Sequence, residues 1–173
     1  EASVKQLFLE NRLSAELTAF FIDGRDLIYT DYTIKKNMNM GSFTNKGIEV
    51  ELGYQVLKNL HFDVNYTFLH TSKPLPVAPK HKFYAGVTYN PSRFSFDLNV
   101  QTIADLYTNV DMRDPSNNVK EDHYTVLNAK AAYRFGDLNK GLKLFVKGEN
   151  LTATRYSINY GYPMPKAIFM GGI

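Results

Sequence analysis

The chain has 173 residues, 44% apolar and 21% charged, with 12 Tyr, 12 Phe and a formal charge of +3. That balance excludes a disordered chain, and the absence of cysteine excludes a disulfide framework, a thiolate metal site and a cysteine nucleophile. So small and evenly spread a charge gives no footprint for nucleic acid, and no apolar run approaches the ~20 residues of a membrane helix.

The dominant sequence period is two, the period of a strand. Taken in chain order, nine strands are predicted at about 2–8, 13–29, 38–56, 60–72, 80–90, 93–108, 121–135, 141–151 and 166–173. In the third, Ile48, Val50, Leu52 and Tyr54 oppose Glu49, Glu51 and Gly53. In the fourth, Phe62, Val64, Tyr66 and Phe68 oppose His61, Asp63, Asn65 and Thr67. The sixth sets Phe94, Phe96, Leu98 and Val100 against Ser95, Asp97, Asn99 and Gln101. The seventh and eighth set Leu127, Ala129, Ala131, Tyr133, Leu142, Leu144 and Val146 against Lys130, Arg134, Lys143, Lys147 and Glu149. No amphipathic helix has comparable support. The first residues, Glu1-Ala2-Ser3-Val4, do not read as a signal peptide.

Connections alternate in length. Short turns rich in Asn, Pro, Gly and Asp fall at 9–12, 57–59, 91–92 and 136–140, and longer loops at about 30–37, 73–79, 109–120 and 152–165. Such a meander suits either a soluble β-sandwich, whose apolar face packs in a core, or a membrane barrel, whose apolar face meets lipid. Three features favour the barrel. Segments 13–29 and 38–56 exceed the usual strand length. Tyr54, Phe62, Tyr89, Phe94, Tyr133 and Phe135 bracket the short turns, as an interfacial aromatic girdle would. Full charges stand in mid-strand on the polar face, suiting a wet lumen. An odd count of nine does not close a single-chain bacterial barrel, where strands come in even numbers. Both chain ends also read as cut, so the expectation is a piece of a larger barrel.

The C-terminal stretch carries a more specific signal. Gly141 to Asn150-Leu151, then Tyr156, then Gly161-Tyr162-Pro163-Met164-Pro165, then Ala167 to Ile173 resembles the end of a TonB-dependent outer-membrane receptor. Phe21 to Ile28, Asn45-Lys46-Gly47-Ile48-Glu49, Asn65-Tyr66-Thr67 and Pro79-Lys80-His81-Lys82 are similar to earlier segments of that family. Lys166 and Ala167 depart from the Gly-Arg common there, and the family's terminal aromatic has no counterpart at Ile173. The resemblance implies an all-β, antiparallel transmembrane barrel segment, residues 1–173 being the C-terminal part of a twenty-two-stranded barrel. By that count these are strands fourteen to twenty-two, with the long loops outside the cell and the plug and early strands absent. It further implies energised uptake of ferric siderophore, haem or cobalamin in the outer membrane of a Gram-negative bacterium. The partners implied are outer-membrane lipid, the plug, the TonB complex through that plug and a small nutrient, without nucleic acid. A passive porin-like barrel and a soluble sandwich module are the alternatives.

An enzyme reading finds no support: His61, His70, His81 and His123 lack any accompanying nucleophile or phosphate-loop motif, and no cofactor is expected. Binding residues are sought on the long loops. His70 and His81 flank one loop, and hairpin geometry could bring them together. With Met38, Met40 and Met112 they would suit haem or a soft metal, or they are ordinary family and strand residues. Tyr156, Tyr160 and Tyr162 cluster on the last long loop, where rings either stack on a ligand or face headgroups. For Tyr29 and Tyr32 the girdle is favoured. Glu49, Glu51, Lys130, Arg134, Lys143, Lys147 and Glu149 are expected to face the lumen and, by the resemblance, the plug.

Overall fold

The computed structural model describes residues 1–26, 28–31, 35–39, 41–112, 114–136 and 141–173, and backbone only at 29–31. Alternation along each segment produces long strands that pair in sequence order. They are β1 (Ala2–Phe8), β2 (Leu13–Gly24), β3 (Ile28–Asp31), β4 (Lys36–Asn39), β5 (Phe43–Leu57), β6 (Leu60–Thr71), β7 (His81–Tyr89), β8 (Phe94–Asn109), β9 (Val119–Arg134), β10 (Lys143–Glu149), β11 (Ser157–Asn159), β12 (Tyr162–Pro163) and β13 (Ile168–Gly172). Nine of them form one sheet in the order β1-β2-β5-β6-β7-β8-β9-β10-β13, and the printed pairings within it are all antiparallel. These nine correspond one for one to the segments expected from the sequence.

Two segments are shorter than the periodicity suggests. The second strand stops at Gly24 and the third starts at Phe43, while β3 and β4 pair separately as a hairpin between them. Strand-forming residues such as Ile28 and Met38 continue past the break because they build the hairpin. What breaks the strands is backbone geometry: Asp26 and Gly41 both take positive φ, 58° and 73°, and Asn39 donates to the Asp26 carboxylate at 2.7 Å. A second small hairpin, β11–β12, sits inside the last long loop.

Cross-strand register makes each face continuous. One row runs Leu17, Val50, Tyr66, Phe83 and Thr102; another runs Leu98, Ala129, Gly148 and Phe169. This apolar face is uncovered: Leu98 is 45%, Val146 64% and Phe169 74% exposed. Among the described residues the buried apolar side chains are Ile103, Leu106, Tyr124, Val126 and Ala132. A sandwich would bury the rest under a second sheet; here the sheet is a single layer with its apolar side outward.

At the short-turn rim the aromatic rings meet. Phe94 lies 4.7 Å from Tyr133, Tyr133 4.6 Å from Phe135, and Phe94 stacks with Phe96 at 5.9 Å. Tyr54 faces Phe62 across β5 and β6. The expected girdle at this rim is therefore continuous ring to ring over β8 and β9.

Candidate functional site

The long connections gather at the opposite rim, where two of them fold onto the wall. The last loop is organised by Asn150. This residue takes a left-handed φ of 49°, which asparagine tolerates better than most side chains. Its side-chain amide donates to the carbonyls of Thr154 at 2.9 Å and Pro165 at 3.1 Å. Its side-chain oxygen accepts from the Thr154 amide at 3.0 Å and the Thr152 hydroxyl at 3.2 Å. Its own backbone amide donates to Asn128 on β9. Asn150 is 4% exposed, so these bonds satisfy a polar group that would otherwise be costly to bury.

Held this way, the loop turns inward. Tyr156 stacks on Tyr124, with ring centroids 4.1 Å apart, and packs against Ile103, Leu106 and Val126. Burial, with a smaller contribution from Glu149, pushes the Tyr156 phenol above its ordinary value. Tyr160 donates its backbone amide to Thr108 at 3.0 Å, while its ring, like that of Tyr162, stays exposed. The three tyrosines thus divide into one packed ring and two presented rings.

The β6–β7 loop is strapped to β8. Pro76 and Tyr107 form a short parallel bridge, Val77 donates to Tyr107 at 2.9 Å, and Lys80 donates to Asp105 at 3.2 Å. Asp105, within β8, takes a φ of 58° and pairs with Lys120 at 2.5 Å. A polar hollow of about 240 Å³ lies beneath the strap, lined by His70, Lys80, Asp105, Tyr107 and Lys120 among others. His81 hydrogen-bonds the Tyr66 hydroxyl at 2.8 Å, packs on Phe68, and sets its Nε2 4.0 Å from the Asp105 carboxylate. Among the described residues no hydrogen bond or ion pair links His70 to His81.

Met38 lies on β4, Met112 in the β8–β9 loop, and Met40 and Tyr32 fall outside the described residues, as does the side chain of Tyr29. Among the described residues no three His, Asp or Glu side chains are grouped to hold a metal ion. Lys80, Asp105, Tyr107 and Lys120 escaped the sequence reading because they meet His70 only where the β6–β7 loop folds onto β8.

The polar face of the sheet is charged. Lys5 pairs with Glu16 at 3.2 Å and Lys147 with Glu149 at 2.5 Å, while the Lys130 ammonium lies 5.0 Å from the Phe145 ring centre. A second polar hollow, about 290 Å³, is lined by Glu49, Glu51, Asn65, Thr67, Lys82, Tyr84 and Gln101. Glu49, Glu51, Lys130, Arg134, Lys143, Lys147 and Glu149 share one register parity.

A single-layer meander with an apolar outer face, elaborated at one rim, is a barrel wall. The sequence matches the family described as TonB dependent receptor-like, beta-barrel over residues 1–151. The chain belongs to the TonB-dependent receptor β-barrel family. Solved receptors share its fold. The ferric-catecholate import receptor Fiu from E. coli K12 is 20% identical with a TM-score of 0.70, matching 98% of this chain and 24% of its own. P. aeruginosa FpvA, bound to heterologous pyoverdines, is 17% identical with a TM-score of 0.73, over 98% of this chain and 25% of its own. The ferric citrate transporter FecA is 21% identical with a TM-score of 0.72, over 94% and 29%. The chain therefore spans about a quarter of the length of these receptors, and at such identities the likeness is one of fold.

Proposed function

We propose that this chain is the C-terminal part of the barrel wall of a TonB-dependent receptor that imports a scarce, bulky nutrient across a Gram-negative outer membrane. The observation that carries the reading is the asymmetry of the wall: tight turns at one rim, and at the other folded loops that present Tyr160 and Tyr162. Rigid, amphipathic rings at a barrel mouth suit stacking on a ligand. Ferric siderophore, haem and cobalamin are the candidate nutrients; the solved relatives include receptors for ferric chelates. In this reading Tyr160, Tyr162 and the hollow under His70 contact the ligand, and Tyr156 holds the loop that presents them. His81, bonded to Tyr66, steadies the wall beneath. The inner charges face a plug contributed by the remainder of the receptor, through which the TonB complex would act. The work is conformational gating, with no covalent step.

Growth of a strain lacking the complete receptor, on single iron, haem or cobalamin sources, tests this. Growth should fail on one source, return with the intact gene, and fail again when the TonB complex is removed. Equal growth on every source, or uptake independent of the TonB complex, would overturn it.

A further inference from the structure

The β6–β7 connection, residues 72–80, is a stiff segment. Pro74, Pro76 and Pro79 have a fixed φ. Lys73, Leu75 and Ala78 each precede a proline and are held away from the helical region. The start of the segment is tied to β5: the Ser72 amide donates to the Thr44 carbonyl at 2.9 Å, and the Thr44 amide to the Ser72 hydroxyl at 2.8 Å. Its end lies on β8 through the amides of Val77 and Lys80, which donate to the carbonyls of Tyr107 and Asp105.

One residue of the strap is strained in this position. Val77 takes a φ of 60°, and among the described residues of the segment it alone is left-handed. That conformation brings Cβ too close to the following carbonyl oxygen, and a β-branched side chain makes it a genuine outlier. Val77 is 47% exposed, so little burial offsets the strain. Glycine, or asparagine at smaller gain, would adopt the same φ more readily. The strain also sits at the contact itself, since the Val77 amide makes the bond to Tyr107. Beneath lies the hollow of about 240 Å³, lined by Leu75 and Ala78 of the strap and by His70, Asp105, Tyr107 and Lys120 of the wall.

We propose that residues 72–80 are a spring-loaded cover that pivots at Val77 and lifts from β8 to open this hollow. Lifting breaks the amide bonds to Tyr107 and Asp105 and returns Val77 to the extended region that its β-branched side chain favours. The prolines keep the segment from bending elsewhere, so the change falls on one loop residue, as in a hinge. The bonds between Ser72 and Thr44 hold the fixed end. Strain released at Val77 offsets part of the two lost bonds and brings the open position close in free energy to the closed one. The motion stands on the strap alone; its use as an entrance for a ligand rests on the reading above.

The test uses the complete receptor in detergent micelles, with barrel folding checked by the heat-dependent shift on gels. Hydrogen exchange at the Lys80 amide reports lifting. Labelling of a Thr71→Cys variant by a methanethiosulfonate reagent reports access, because Thr71 lines the hollow and the chain has no cysteine of its own. Val77→Gly relieves the strain, Val77→Asn relieves part of it without adding the freedom of glycine, and Val77→Ile keeps it. Val77→Gly should slow exchange and labelling about tenfold, the equivalent of about 1.4 kcal/mol and within the range for a left-handed residue that is not glycine. Val77→Asn should fall between, and Val77→Ile should match the parent. Equal exchange in all the variants would overturn the pivot. Slower exchange with unchanged labelling would overturn the cover. Either failure leaves the receptor reading intact, which the growth test decides separately.

Discussion

Tyr156 and Tyr124 stack at 4.1 Å with their planes 20° apart, joining the last long loop to the inner side of β9. The pair makes the mouth of the wall a packed surface where a loose loop would otherwise stand. Replacing Tyr156 by alanine removes the stack, worth about 0.5–1.5 kcal/mol beyond the area it buries. Hydrogen exchange of residues 152–165 in the intact receptor should then accelerate several-fold, with exchange in β2 and β5 unchanged. Tyr156→Phe keeps the ring and should exchange like the parent. Unchanged exchange in the alanine variant would mean that the Asn150 network alone holds the loop.

The contrast between these two anchors shows what the sequence could reveal. Asn150 and Tyr156 were both visible as members of an Asn-Leu, aromatic, Tyr-Pro-x-Pro series, yet nothing in that series indicates that one is a hydrogen-bond hub and the other a ring turned inward. Strand existence was legible at every one of the nine segments because alternation is imposed residue by residue. Strand ends near Gly24 and Phe43 were not, because strand-forming residues continue into the β3–β4 hairpin and the break falls at single positive-φ residues. The strap over the β6–β7 loop was invisible for a related reason. Its contacts join Pro76 to Tyr107 and Lys80 to Asp105, partners distant in sequence, the second a left-handed aspartate that no local pattern marks.

That aspartate supplies the next prediction. Asp105→Asn removes the charge pairing with Lys120; the carboxylate is about one-third exposed, so the loss should be no more than ~1 kcal/mol. Asp105→Val also places a β-branched residue at a φ of 58°, adding about 1–2 kcal/mol of strain. Protease sensitivity at residues 72–80 should therefore rise slightly in the first variant and clearly in the second. Equal sensitivity in the two would show that the backbone geometry at 105 does not hold the strap.

The orientation of the wall is open to a direct test through a matched pair of arginines. Leu98 and Gln101 are three residues apart on β8 and lie on opposite faces: Leu98 in the apolar row with Ala129, Gln101 in the hollow beside Glu49 and Glu51. Leu98→Arg exposes a cation to hydrocarbon, a cost of about 2–4 kcal/mol near the bilayer midplane. Gln101→Arg places the same cation in a wet cavity near two carboxylates and should cost close to nothing. Folding the complete receptor into vesicles and reading the folded fraction on heat-shift gels compares them at equal side-chain size. The expected result is a folded fraction sharply lower for Leu98→Arg alone. If Gln101→Arg were the damaging change, the apolar face would have to be the one that is packed, and the wall would be a soluble sheet with its core on the side assigned here to lipid.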